Sequence, residues 1–191
     1  MDAGLRRAVL IVALLNLAYF GVEFAVARRI GSVSLFADSI DFLEDTSLNL
    51  LILVALGWSA RNRARVGMAL AAILLVPGLA TLWTAWAKFA LPLAPDASAL
   101  SLTGAGALVV NLACAFLLAS YRHHSGSLSK AAFLSARNDA FANLGIIGAG
   151  LLTIALRSAW PDLIVGLAIA AMNADAAREV FGAARRETAE R

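Results

Sequence analysis

Charge is scarce in this chain. Only 15% of its 191 residues are Asp, Glu, Lys or Arg, against about 25% in an ordinary soluble domain, so a water-covered surface of normal charge density is excluded. There is one cysteine, Cys114, in an apolar run. A disulfide within the chain, a redox pair and a cysteine zinc site are excluded with it, and the expected role is that of a small packing residue. The two histidines stand side by side as His123 and His124. No phosphate loop, hydrolytic triad or nucleotide fingerprint occurs, so neither an ATP-driven pump nor an enzyme is indicated. The net charge of +3 does not argue for nucleic acid, because the basic residues sit at the ends of apolar segments and not in one patch.

What the chain has in quantity is apolar length. Hydrophobic residues make up 61% of it and its mean hydropathy is +0.78, which predicts an integral membrane protein. Runs of the roughly 20 residues needed to cross a hydrocarbon core lie at about 7–27, 33–59, 66–90, 100–121, 131–156 and 161–182. The expected architecture is all-α: one domain of six transmembrane helices over 1–182, then a short tail over 183–191. Arg6 and Arg7, followed by an apolar stretch and Ala25-Val26-Ala27, have the outline of a secretory signal. The run is long and holds Asn16 and Glu23, which fits a retained helix better.

Lys and Arg in the short loops set the orientation. Arg6, Arg7, Arg61, Arg63, Arg65, Arg122, Lys130, Arg178, Arg185, Arg186 and Arg191 fall on one side, and Arg28, Arg29, Lys88 and Arg157 on the other. Both termini are therefore expected in the cytoplasm of a multi-pass cell-membrane protein, in a bacterium the inner membrane.

Polar residues inside these runs are patterned. Asp41-x-x-x-Asp45-x-x-x-Asn49-Leu50 in the second run is echoed by Ser135-x-x-x-Asp139-x-x-x-Asn143-Leu144 in the fifth. At about 100° per residue, Ser34, Asp38, Asp41, Asp45 and Asn49 share an arc of roughly 80°, and the rest of that helix is mostly apolar apart from Glu44. Such a face must meet protein or water. An Asp near the bilayer centre costs about 2.5–3.5 kcal/mol, so two on one helix and a third on another call for compensation. A bound cation supplies it. Residues four apart lie about 6 Å apart along one face, close enough for Asp41 and Asp45 to converge on one ion, with Asp139 closing from the facing helix. Asp38, near the helix start, has a competing role at the positive end of the helix dipole.

The segment Gly31-Ser-Val-Ser-Leu-Phe-Ala-Asp-Ser-Ile-Asp-Phe-Leu-Glu-Asp45 resembles the second helix of the cation diffusion facilitator family. Ala131-Ala-Phe-Leu-Ser-Ala-Arg-Asn-Asp139 through Gly145-Ile-Ile resembles its fifth, and Trp160-Pro-Asp-Leu-Ile-Val-Gly-Leu the start of its sixth. The likeness covers nearly the whole membrane part. It implies a six-helix bundle that exports divalent cations in exchange for protons by alternating access, usually as a homodimer in the lipid bilayer, with no prosthetic group. It carries the family's central site onto Asp41, Asp45, Ser135 and Asp139. Asp45 and Asp139 match directly, and Asp41 is an accepted alternative to His. Ser135 stands where the family commonly has His. Three carboxylates and a hydroxyl offer only oxygen, which suits harder ions such as Mn²⁺ or Mg²⁺, whereas imidazole favours Zn²⁺. Fe²⁺, Co²⁺ and Cd²⁺ complete the range of candidate cargo. Without a ligand His to titrate near neutrality, protons travel on the carboxylates, where a metal ion competes for the same oxygens.

The family's cytoplasmic metal-sensing domain after helix six is expected to be missing, and the loop Arg61-Asn-Arg-Ala-Arg-Val-Gly67 lacks the His and Asp of its accessory site. His123-His124 fall where the family often has a longer His-rich loop. Arg137, two positions from Asp139 and about 200° round the helix, needs a partner, for which Glu44 is the candidate. These departures support a competing reading, a family member that transports nothing and serves as an assembly partner or sensor subunit. Glu23, Asn49 and Asn143 join Asp38 as secondary candidates on the cation path. Asn16 and Glu23 share one face of the first helix, where helix-to-helix bonding, or for Glu23 pairing with Arg28 or Arg29, is the alternative. Asp175 is expected to pair with Arg178. Gly145, Gly148, Gly150 and Gly166 predict close helix approach, Pro77-Gly78 a kink, and Trp58 and Trp160 interfacial anchors.

Overall fold

All regular secondary structure among the described residues is helical. The structure, a computed structural model, describes the backbone over 3–55, 79–119 and 126–189, and the side chains over 3–54, 79–119 and 138–174. Helix α1 spans Ala3–Ile30, α2 Val33–Ala55, α4 Ala97–Ala119, α5 Gly126–Leu156 and α6 Trp160–Ala189, and α3 is described over 79–90. The loop Arg61–Gly67, Trp58, Pro77-Gly78 and His123-His124 lie outside the described residues, as do the side chains of Ser135, Arg137, Asp175 and Arg178.

Among the described residues, three stretches are long and apolar enough to cross a membrane, Ala3–Ile30, Ala97–Ala119 and Asn138–Leu156. Helix α2 matches α4 in length, 23 residues each, but carries Asp38, Asp41, Glu44 and Asp45 in place of a uniformly apolar surface. The apolar part of α6 is shorter, Trp160–Ala174. That helix nevertheless runs on to Ala189, through most of the segment expected as a separate tail. Ala, Arg and Glu dominate there, and all three are strong helix formers, so nothing in the chain ends the helix where its apolar run ends.

Burial on α1 follows the helical period. Leu5, Ala8, Val9, Val12, Asn16, Glu23 and Ala27 face inward, while Leu10, Leu14, Leu17 and Val22 are exposed, as lipid-facing residues are. Helix α2 sits centrally, against α1, α5 and α6, and α4 packs on α1 and α5. Trp160 is exposed and meets Phe89 of α3 edge to face, with centroids 5.2 Å apart.

The α1–α2 turn places the acidic face. Gly31 has a φ of 66°, a left-handed conformation that a side chain would resist, and Ser32 N–H bonds back to the Ala27 carbonyl at 3.1 Å in a Schellman-type ending. Ser32 then caps α2, its Oγ accepting Leu35 N–H at 3.1 Å. At Gly166 the backbones of α6 and α2 nearly touch: a Cβ there would stand 2.7 Å from Ser34 N and from the Val33 carbonyl carbon. Gly166→Ala is therefore expected to cost about 1–3 kcal/mol through overpacking, read as a lowered unfolding midpoint in detergent. Gly148→Ala, where nothing lies within 4 Å of the added carbon, should hold or raise it.

Candidate cation site

Helix α2 disposes of its small hydroxyls locally. Ser39 Oγ donates to the Phe36 carbonyl, Thr46 Oγ1 to Phe42 and Ser47 Oγ to Leu43, at 2.7, 2.7 and 2.8 Å, a back-bonding habit of helical Ser and Thr. That leaves the carboxylates to face neighbouring helices. Asp38, Asp45 and Asn49 are buried and Asp41 is half-buried.

Three layers follow along this face. At the Asp45 level, Asn16 of α1 donates Nδ2–H to Asp45 Oδ2 at 3.4 Å, and its Oδ1 lies 3.5 Å from the Cys114 thiol of α4. One turn further, Asn49 donates to the Asp45 carbonyl at 2.7 Å. Asn16 thus acts between helices. Cys114 is fully buried in an apolar cluster with Val9, Val12 and Leu118, as a packing residue is, with its sulfur on the polar edge.

At the Asp41 level the acids gather. Asp139 of α5 is the charge that bears hardest on Asp41, followed by those of Asp38, Glu44 and Asp45. The structure thus sets the three sequence-derived carboxylates in one electrostatic neighbourhood. Among the described residues no three His, Cys, Asp or Glu side chains stand as a ready ligand set.

The Asp38 level differs from the capping role open to it in sequence. Ser32 and Asp162 serve the α2 N-terminus, and Asp38 lies beyond its first turn. Asp38 Oδ2 instead accepts Asn143 Nδ2–H of α5 at 2.6 Å, and Asn143 Oδ1 accepts Asn111 Nδ2–H of α4 at 2.9 Å. Both ends of the Asn143 amide are engaged. Glu23 of α1 is fully buried beside Asp38, while Arg28 and Arg29 are exposed. Glu23 points into the bundle because it falls on the buried face of α1, whereas the arginines lie past its inner stripe.

A fourth cluster has no counterpart among the sequence-derived candidates. Asp162, 0% exposed, accepts Val33 N–H at 2.9 Å, Ser34 N–H at 3.1 Å, Ser32 Oγ–H at 2.6 Å and Ser34 Oγ–H at 2.7 Å. Lys88 of α3 pairs with it at 3.1 Å and also donates to the Gly31 carbonyl. An anion at the orphan N–H groups of a helix start is favoured by both hydrogen bonds and dipole. The only sequence signal was an acid following Trp160-Pro161 and a lone lysine before a loop, 74 positions apart.

Over residues 9–187 the chain matches the family model described as the cation efflux transmembrane domain. No curated protein matches it.

Proposed function

Because the chain belongs to the cation efflux family, a family of multi-pass membrane proteins that move metal cations, we propose that it exports divalent cations from the cytoplasm in exchange for protons. Asp41, Asp45 and Asp139 are the ligands, with Ser135 as the fourth position, in a six-helix homodimeric carrier that catalyses no reaction. The observation that supports this most directly is that Asp139 of α5 and Asp45 of α2 both bear on the half-buried Asp41 of α2. Acids gathered between the helices of a membrane protein mark an ion path. Like charges held this close bind either protons or a metal ion, and each displaces the other.

An all-oxygen ligand set favours Mn²⁺ or Mg²⁺ over Zn²⁺. Metal-driven proton flux in proteoliposomes, compared across Mn²⁺, Fe²⁺, Co²⁺, Zn²⁺, Cd²⁺ and Mg²⁺, tests the reading. Flux is expected, largest for the harder ions. Ser135→His, which adds an imidazole, should move the preference toward Zn²⁺ by about tenfold, equivalent to about 1.4 kcal/mol. No flux with any ion, in protein that remains folded, would instead identify a non-transporting assembly partner.

A further inference from the structure

We propose that Glu23 and Asp38 form a proton-holding carboxyl pair beside the metal ligands, with one proton shared between the two acids. Both side chains are 0% exposed. Among the described residues, neither Glu23 oxygen, nor Asp38 Oδ1, has a hydrogen-bond partner, and Asp38 Oδ2 has Asn143. Yet the two carboxyls lie within side-chain hydrogen-bonding reach of each other. Two ionised carboxylates are acceptors only, so that contact is a bond once one of them carries a proton and a repulsion otherwise. Burying two adjacent anions with no cation beside them is strongly disfavoured.

The described cations lie elsewhere: Lys88 is committed to Asp162 and the Gly31 carbonyl, and Arg6, Arg7, Arg28, Arg29 and Arg157 are exposed. A divalent ion fits poorly. It asks for about six oxygens, whereas the pair offers at most four. Asn143 Oδ1 already accepts from Asn111, and the Tyr19 hydroxyl donates to the Thr103 carbonyl at 2.6 Å. A proton needs only the two acids. Among the described residues, the titratable groups bearing on the pair are Tyr19 of α1 and Asp41 of α2. Helix α5 contributes the neutral Asn143, which Asn111 of α4 braces.

Position gives the pair a use. Asp38 precedes Asp41 on the same face of α2 by about 4.5 Å along the axis, so the shared proton lies beside the cation ligands without occupying them. The pair then serves as the proton's waiting place during exchange, an inference that rests on the transport reading only for what the proton is exchanged against.

Infrared spectra of the full chain in detergent at pH 7, in H₂O and D₂O, test it. The native chain is expected to show a protonated-carboxyl C=O band that shifts in D₂O. Glu23→Gln and Asp38→Asn, both close in shape to the originals, should each remove one carboxyl's worth of that band, and the double variant no more than either. A band unchanged in both single variants, or a double variant that removes twice as much, overturns the shared proton. With Mn²⁺ in proteoliposomes, Glu23→Gln should lower the protons returned per ion, and an unchanged ratio would count against the pair's part in exchange. The infrared result does not depend on transport, so a chain that moves no ion yet shows the shared-proton band fails the transport reading alone.

Discussion

Asp162→Ala is expected to lower the unfolding free energy by about 3–5 kcal/mol, the usual cost of removing one partner from a buried ion pair. The loss has two parts. Lys88 would be left buried with only the Gly31 carbonyl, and the Val33 and Ser34 N–H groups and two serine hydroxyls would lose their acceptor. At about 2–4 °C per kcal/mol for a chain of this size, the unfolding midpoint in detergent should fall by roughly 10 °C. The single variant mostly measures the stranded charge and not the worth of the pair. Combining Asp162→Leu with Lys88→Met should therefore recover part of the loss. A midpoint unmoved by Asp162→Ala would mean that the five-donor cluster contributes nothing to the fold.

Asp45→Asn should reduce metal-driven flux by at least about 100-fold, since groups that merely brace a metal ligand already account for about 10–100-fold in affinity and Asp45 is assigned as a ligand itself. The substitution keeps shape and one carbonyl oxygen but removes a negative charge from the cluster that includes Asp41 and Asp139. The fold should survive it, because a buried amide is less costly than a buried carboxylate. Equilibrium Mn²⁺ binding should weaken in parallel with flux. Flux within threefold of the native chain would remove Asp45 from the ligand set.

The acidic face of α2 was legible because a helix fixes side-chain direction from residue number alone: Asp38, Asp41, Asp45 and Asn49 had to share an arc whatever packed against them. The starts of α2 and α6 were legible for a related reason, since Gly31 and Trp160-Pro161 are local breaks. Pairing between helices was not. Whether Glu23 met Arg28 or Asp38 depends on how α1 is rotated against α2, and that rotation is set by the packing of Val9, Val12 and Ala27, which have no polar signature. Lys88 and Asp162 are harder still, each looking like an ordinary loop-end charge until α3 and α6 are brought to the start of α2. The run of α6 to Ala189 has no signal in hydropathy, which reports the solvent of a helix and not its end.

The Lys88–Asp162 cluster also has a mechanical meaning. Its hydrogen bonds hold the first turn of α2 to α3 and α6, while Gly31 ties the same point to α1, so four helices are fastened at one end of the bundle. If α2 rocks during transport, that fastened end is its fulcrum. Asp45 lies twelve residues beyond Val33, roughly 18 Å along the lever at 1.5 Å per residue. A tilt of about 10° would then carry Asp45 sideways by about 3 Å, enough to open or close a cation's oxygen shell of about 2.3–2.6 Å bonds, while Asp38, nearer the fulcrum, would travel less than half as far and keep its neighbours.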